Sequence, residues 1–218
     1  MKRILIGCEI LKKELIEIIE KGQLQMDAVW LDEDLHNHPE KLQAELQIKI
    51  DELDGYDEVI LSYGLCGNAL LGITATHCDL IYPLVEDCIC GVMCGCETLS
   101  EMRKDSIFTS KAWLSTRNPF AEEYRRTVEK YGEDTAKMIF DMMYAHYNNV
   151  VYMQTEPEVD PQWKKAAEDM AEKLELKLRY IPASFDLYER LLSVNEGSDI
   201  RRLKKGDTIG FDDFNTKG

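Results

Sequence analysis

Val59-Ile-Leu-Ser-Tyr-Gly-Leu-Cys-Gly-Asn68 reads as an apolar strand running into a tight glycine turn, and two other stretches share that form. Arg3-Ile-Leu-Ile-Gly7 leads into Cys8, and Leu80-Ile-Tyr-Pro-Leu-Val-Glu-Asp87 leads into Cys88. Short apolar runs closed by turn residues are strand signals. If the three runs lie parallel in one sheet, Cys8, Cys66 and Cys88 arrive at the same edge, where open α/β sheets bind their ligands.

The segments between these runs supply the crossovers. Ile10–Lys21 carries Ile10, Leu11, Leu15, Ile18 and Ile19 on one side of a helix, and Met26–Leu31 reads as a further strand. Pro39 opens a helix to about Leu53, since proline is tolerated in a first helical turn. The βαβαβ rhythm predicts an α/β fold, a Rossmann-like parallel sheet with right-handed crossovers and flanking helices. Gly91 and Gly95 break the periodicity from Cys88 to Trp113. A long helix is expected after Pro119 as far as His146, with a break near Gly132. Strand Val150–Thr155, helix Pro161–Leu174, strand Leu176–Ile181, helix Phe185–Leu192 and a last strand at Asp207–Phe211 follow. Two similar α/β lobes result, 1–115 with the cysteines and 116–218 with the helical connection. One continuous domain is the alternative.

Composition narrows the function. At 218 residues and 44% hydrophobic content, the chain can bury a substantial core. A formal charge of −15 argues against a nucleic-acid footprint, which needs a basic face. No apolar run approaches the roughly 20 residues of a membrane span. Glu9, Lys12, Lys13 and Glu14 interrupt the first apolar stretch too early for a signal peptide, which predicts a cytoplasmic location. Seven cysteines in a reducing compartment are expected to stay reduced, bind metal or react.

In Tyr63-Gly-Leu-Cys-Gly-Asn68, Gly64 and Gly67 let the backbone approach a ligand, and free amides up to Asn68 can cradle an anion or a cluster sulfide. The competing reading is a turn around a buried thiol. The run Cys88-Ile-Cys-Gly-Val-Met-Cys-Gly-Cys96 is spaced C-x-C-x3-C-x-C, unlike a zinc knuckle or a ferredoxin run. Cys90, Cys94 and Cys96 read first as small packing residues, the first two a helical turn apart, and second as ligands. Cys78, beside His77, precedes its strand and belongs at the opposite edge.

Three thiolates leave one position open, either on a [4Fe–4S] cluster or on zinc. Asp87 is the candidate proton donor or orienting group. A metal-free, low-pKa Cys66 nucleophile is the third option, opposed by Glu9, Glu86 and Asp87. His36 and His38 lie in a polar loop, and His146 ends a helix. Trp113 reads as a core residue, with an anion pocket shared with Lys111 and Arg117 as the alternative.

At these residues the chain resembles the DUF1638 family of methanogens and anaerobic bacteria. The likeness rests on Tyr63-Gly-Leu-Cys-Gly-Asn68, on Pro83 with Asp87-Cys88-Ile89, and on Cys8. It extends to Trp113-Leu114, Lys130-Tyr-Gly-Glu-Asp-Thr-Ala136 and Val151-Tyr-Met-Gln-Thr155. The chain departs from the family pattern at Cys90, Cys94 and Cys96, and at Lys111-Ala112 where Pro-Gly is usual. The family's association with corrinoid-dependent methyltransferases implies a role in anaerobic methyl, one-carbon or sulfur metabolism.

The expectation is thus a metal-centre protein that binds [4Fe–4S] through Cys8, Cys66 and Cys88 and acts on a small molecule. Gly64, Gly67 and Asn68 line the cofactor, and Asp87 is the catalytic candidate. A zinc-thiolate methyl-transfer protein is the alternative, as is a noncatalytic partner of a corrinoid protein or methyltransferase.

Overall fold

The structure is a computed structural model and describes residues 1–115, 119–195 and 197–214. It divides into two compact units, Met1–Cys94 with Phe185–Gly218, and Gly95–Ser184. In chain order the first unit contributes β1 (Arg3–Cys8), α1 (Lys12–Lys21), β2 (Met26–Leu31), α2 (Pro39–Glu52), β3 (Glu58–Leu61), β4 (Asp79–Pro83) and α3 (Cys88–Val92). The second contributes α4 (Leu99–Met102), β5 (Ser106–Thr109), α5 (Lys111–Ser115), α6 (Pro119–Tyr131), α7 (Glu133–Tyr144), β6 (Asn149–Gln154), α8 (Pro161–Lys173) and β7 (Lys177–Pro182). The chain then returns to the first unit with α9 (Asp186–Leu192) and β8 (Ile200–Leu203).

The first unit is a five-stranded sheet in the order β2-β1-β3-β4-β8, parallel except for β8. Strands covered on both faces need apolar side chains throughout. All of β3 is buried, and so are β1 and β4 after their first residues, with Leu5, Ile6, Ile60 and Leu61 at 0% exposure. Each such side chain stabilises the fold by about 1.5–3 kcal/mol. β2, with Asp27 and Ala28 exposed, is an edge strand. Helix α2 buries Leu42, Leu46 and Ile50, a four-residue repeat that lays one stripe on the core. Helix α9 packs on α1, α3 and β4.

From β1 the chain moves outward to β2, then crosses back to place β3 on the other side of β1. The order therefore reverses between β1 and β3, which is the topological switch point of the sheet.

The second unit is a smaller parallel sheet, β5-β6-β7, with Tyr152 and Ala167 buried in its core beside Leu114. Gly132, at φ +81°, separates α6 from α7, so the helical stretch after Pro119 breaks near Gly132 as expected.

The structural division differs from one at 115/116. The last segment belongs to the first sheet because β8 pairs antiparallel with β4, Leu80 opposite Leu203 and Pro83 opposite Ile200. Asp207–Phe211 is not a strand. It contributes a single bridge, Thr74 to Thr208, and then a 3-10 turn from Phe211 to Asp213. The stretch with interrupted periodicity holds β5, whose short Ser106-Ile-Phe-Thr109 run is half polar.

Candidate functional site

Cys8 ends β1, Cys66 lies in the turn after β3, and Cys88 begins α3 after β4. The three strands are neighbours and parallel, so all three cysteines lie beyond their carboxyl ends, and Cys8 and Cys66 flank the switch point. Cys78 directly precedes β4 and is therefore at the other end of the sheet.

Backbone hydrogen bonds fasten these loops to one another. The Cys8 amide donates to Ser62 Oγ at 3.2 Å. The Leu65 amide donates to the Val85 carbonyl at 2.9 Å, and the Cys66 amide to the Glu86 carbonyl at 2.8 Å. Gly64 is required for that approach, because a Cβ there would lie 2.8 Å from Val85 Cγ2 and closer still to its carbonyl oxygen. Cys66, Gly67 and Asn68 follow at φ +45°, +70° and +74°, three successive left-handed residues of which two carry side chains. That conformation costs about 1–3 kcal/mol at a non-glycine residue, and asparagine tolerates it best. Gly67 also lies against Pro39. Asp87 caps α3, its side chain accepting from the Cys90 amide at 2.9 Å, and so fixes where the helix begins and where Cys88 stands.

The sulfurs share one electrostatic environment. Burial pushes the Cys8 thiol up to about 11, with Glu33, Glu9 and Asp32 adding to the shift against the Ile10 amide. Cys66 is pushed up to about 12 by burial, then by Asp87 and Cys8, opposed by the amides of Gly64 and Cys88 that donate to its sulfur. Cys88 is raised well above the usual thiol range by burial and then by Cys66, Cys8 and Asp87. Cys66 and Cys88 nevertheless keep partial solvent access. An isolated thiolate here is disfavoured, so Cys66 is not prepared as a low-pKa nucleophile.

Two tyrosines complete the site, and neither was singled out from the sequence. Tyr63 is 4% exposed, and its hydroxyl is raised by burial and then by Cys8, Cys66 and Cys88. Tyr188, from α9, is 0% exposed and feels burial first, then Cys88, Cys66, Cys8 and Asp87. Its hydroxyl has no hydrogen-bond partner among the described residues. It rests on Gly91 of α3, where a Cβ would lie 2.8 Å from Tyr188 Cζ and closer to the oxygen. A glycine inside a helix pattern marks such close approach, and this was the available signal.

The three thiols act on one another electrostatically. Among the described residues, no group of three His, Cys, Asp or Glu side chains is set to hold a single metal ion. The remaining thiols separate. Cys90 Sγ lies 3.9 Å from Glu86 Oε2, Cys94 is exposed beyond the end of α3, and Cys96 belongs to the second unit. His77 meets the Asp51 carbonyl at 3.1 Å, and His146 stacks on Tyr147. Lys111 and Trp113 are in α5, and Arg117 lies outside the described residues.

Fold and site define an α/β protein with three cysteines beyond the carboxyl ends of adjacent parallel strands in an open, mostly parallel sheet. The chain belongs to the family described as protein of unknown function (DUF1638), which it matches over residues 30–192. Cys66, Cys88, Gly91 and Tyr188 fall inside that span, and Cys8 falls outside it. No curated protein and no solved structure matches the chain. Among the described residues, no helix is long and apolar enough to cross a membrane.

Proposed function

We propose that the first unit binds a [4Fe–4S] cluster through Cys8, Cys66 and Cys88 and presents its fourth iron to a small-molecule substrate. The observation that carries this reading is that three mutually interacting thiols follow the carboxyl ends of three neighbouring parallel strands, two of them flanking the sheet's switch point. Three desolvated thiols among Asp87, Glu9, Glu33 and Asp32 repel added negative charge and accept a cationic centre. A mononuclear ion needs every sulfur about 2.3 Å from one point. A cluster gives each thiolate its own iron, so three cysteines from adjacent strand ends need not bring their sulfurs to one point.

When bound, the cluster supplies an iron able to act as a Lewis acid and to exchange electrons. The chain's own groups do the rest. Amides of Ile10, Gly64 and Cys88 donate to the sulfurs of Cys8 and Cys66 and favour their ligating, deprotonated form. Gly64, Gly67 and Asn68 would let backbone approach the cofactor, and Asp87, which caps α3 at Cys88, would supply an acid–base group. The family resemblance supports a role in anaerobic methyl, one-carbon or sulfur metabolism, with a corrinoid protein or methyltransferase as partner.

Anaerobic purification followed by iron, acid-labile sulfide and zinc analysis tests the reading. Equal iron and sulfide are expected. Zinc without sulfide replaces it with a zinc-thiolate site, and protein without either metal ends it.

A further inference from the structure

We infer that the second unit binds a free basic amino acid of the lysine type, in a cleft of about 670 Å³ walled by α8 and the ends of β6 and β7. This is independent of the three-cysteine centre proposed above. Gln154 ends β6, Tyr180 stands near the end of β7, and Pro161, Lys164 and Glu168 share one face of α8 at i, i+3 and i+7. The cleft therefore lies at the carboxyl ends of parallel strands, where α/β sheets take their ligands, and has the size of a small-molecule site. Gln154 Nε2 donates to the carbonyls of Glu156 at 3.0 Å and Pro157 at 3.1 Å, which pins the segment leading into α8. Pro157 and Pro161, each with a fixed φ, stiffen the same rim.

Charge defines the ligand. Lys165 is neutralised by Asp169 at 2.8 Å. Glu158, Lys164 and Glu168 also line the cleft, and among the described residues their side chains have no ion pair and no hydrogen bond. Lys164 and Glu168 are one turn apart, about 6 Å along α8, a spacing that permits a pair they do not form. In chain order the cleft thus offers minus, plus, minus, beside the apolar walls of Pro157, Val159 and Tyr180. A ligand that answers all three has one anionic and two cationic groups on an apolar stem. A lysine-type amino acid supplies them: its carboxylate meets Lys164, its two ammonium groups meet the glutamates, and its methylenes lie on the apolar walls. A neutral zwitterion leaves one glutamate unanswered, and a dicarboxylate is repelled. The Tyr180 hydroxyl is buried without a partner among the described residues, and closure of the cleft on a ligand would supply one.

The test is isothermal titration calorimetry of the full chain near pH 7 and at low salt, where these groups are charged and little screened. L-lysine is expected to bind saturably at one site per chain. Norleucine, ε-aminocaproate and cadaverine each lack one of its three charged groups. Each is expected to bind about fivefold more weakly, the scale of one solvent-accessible ion pair. Lys164→Gln and Glu168→Gln, both at exposed positions, are expected to keep the thermal midpoint and to weaken L-lysine by a similar factor. Glu172→Gln, on α8 outside the cleft, is expected to bind as wild type. Absence of saturable L-lysine binding overturns the inference. So does any of the three analogues binding as tightly as L-lysine, or an unchanged affinity in either cleft variant. Iron content is read separately and bears only on the cysteine centre.

Discussion

The backbone amide of Cys66 donates to the carbonyl of Glu86 at 2.8 Å, so the turn after β3 is tied to the segment that delivers Cys88. Two residues far apart in sequence thereby hold two thiols in one setting. The neighbouring Leu65–Val85 bond, at 2.9 Å, continues the same lacing, and it exists because Gly64 has no side chain.

Gly64→Ala should therefore separate the two loops. A methyl group driven into the Val85 carbonyl meets backbone, which cannot rotate away. The expected loss is about 2 kcal/mol, typical of overpacking, read as a lower urea midpoint. Iron content after anaerobic reconstitution should fall with it. An unchanged midpoint would mean that the loops are not in contact as described.

Gly91 and Tyr188 form a second tight pair, and their coupling is measurable. Gly91→Ala pushes a Cβ against the tyrosine's terminal atoms and should destabilise by about 1–3 kcal/mol. Combined with Tyr188→Phe, which deletes the oxygen nearest that Cβ, part of the loss should be recovered. A double-mutant cycle should return an interaction of at least about 0.5 kcal/mol. Strict additivity would show that Tyr188 does not rest on α3.

Glu58 sets an acid limit on stability at the opposite end of the sheet. It is 4% exposed and is held by Arg3 at 2.6 Å and Arg202 at 2.5 Å. Burial alone would raise its carboxyl, but the bonds and charges of Arg202 and Arg3 outweigh burial and hold it below its ordinary 4.5. The folded value lies below the unfolded one, so the stabilisation is complete above about pH 4.5 and is lost as pH falls through the folded value. Glu58→Gln should cost about 3 kcal/mol at pH 7 and clearly less near pH 3. Urea titrations at the two pH values check this, and equal losses at both would contradict it.

Much of this was legible in the residues. Ile4-Leu-Ile6 and Val59-Ile-Leu61 could only be buried strands, and the cysteines at their ends followed from parallel alternation. The last strand was not legible, because Ile200-Arg-Arg-Leu203 is half charged. Its Arg202 is satisfied by Glu58 and Asp79, 144 and 123 residues away, which no local pattern reveals. β5 was missed for a related reason, since Ser106 and Thr109 dilute a four-residue run. Tyr188 joins a site otherwise built by residues 8 to 88 only because α9 packs back on α1 and α3. Sequence pattern locates a thiol at a strand end; it does not report which distant helix covers it.

The account's central claim is that Cys8, Cys66 and Cys88 hold one shared centre, and iron bound per chain across single cysteine variants tests it most directly. Cys8→Ser, Cys66→Ser and Cys88→Ser, each reconstituted anaerobically, should lose most of the iron that wild type retains. Cys78→Ser and Cys94→Ser, at the other sheet edge and beyond α3, should retain it. Full iron in any one of the first three, or equal loss in all five, would contradict the claim.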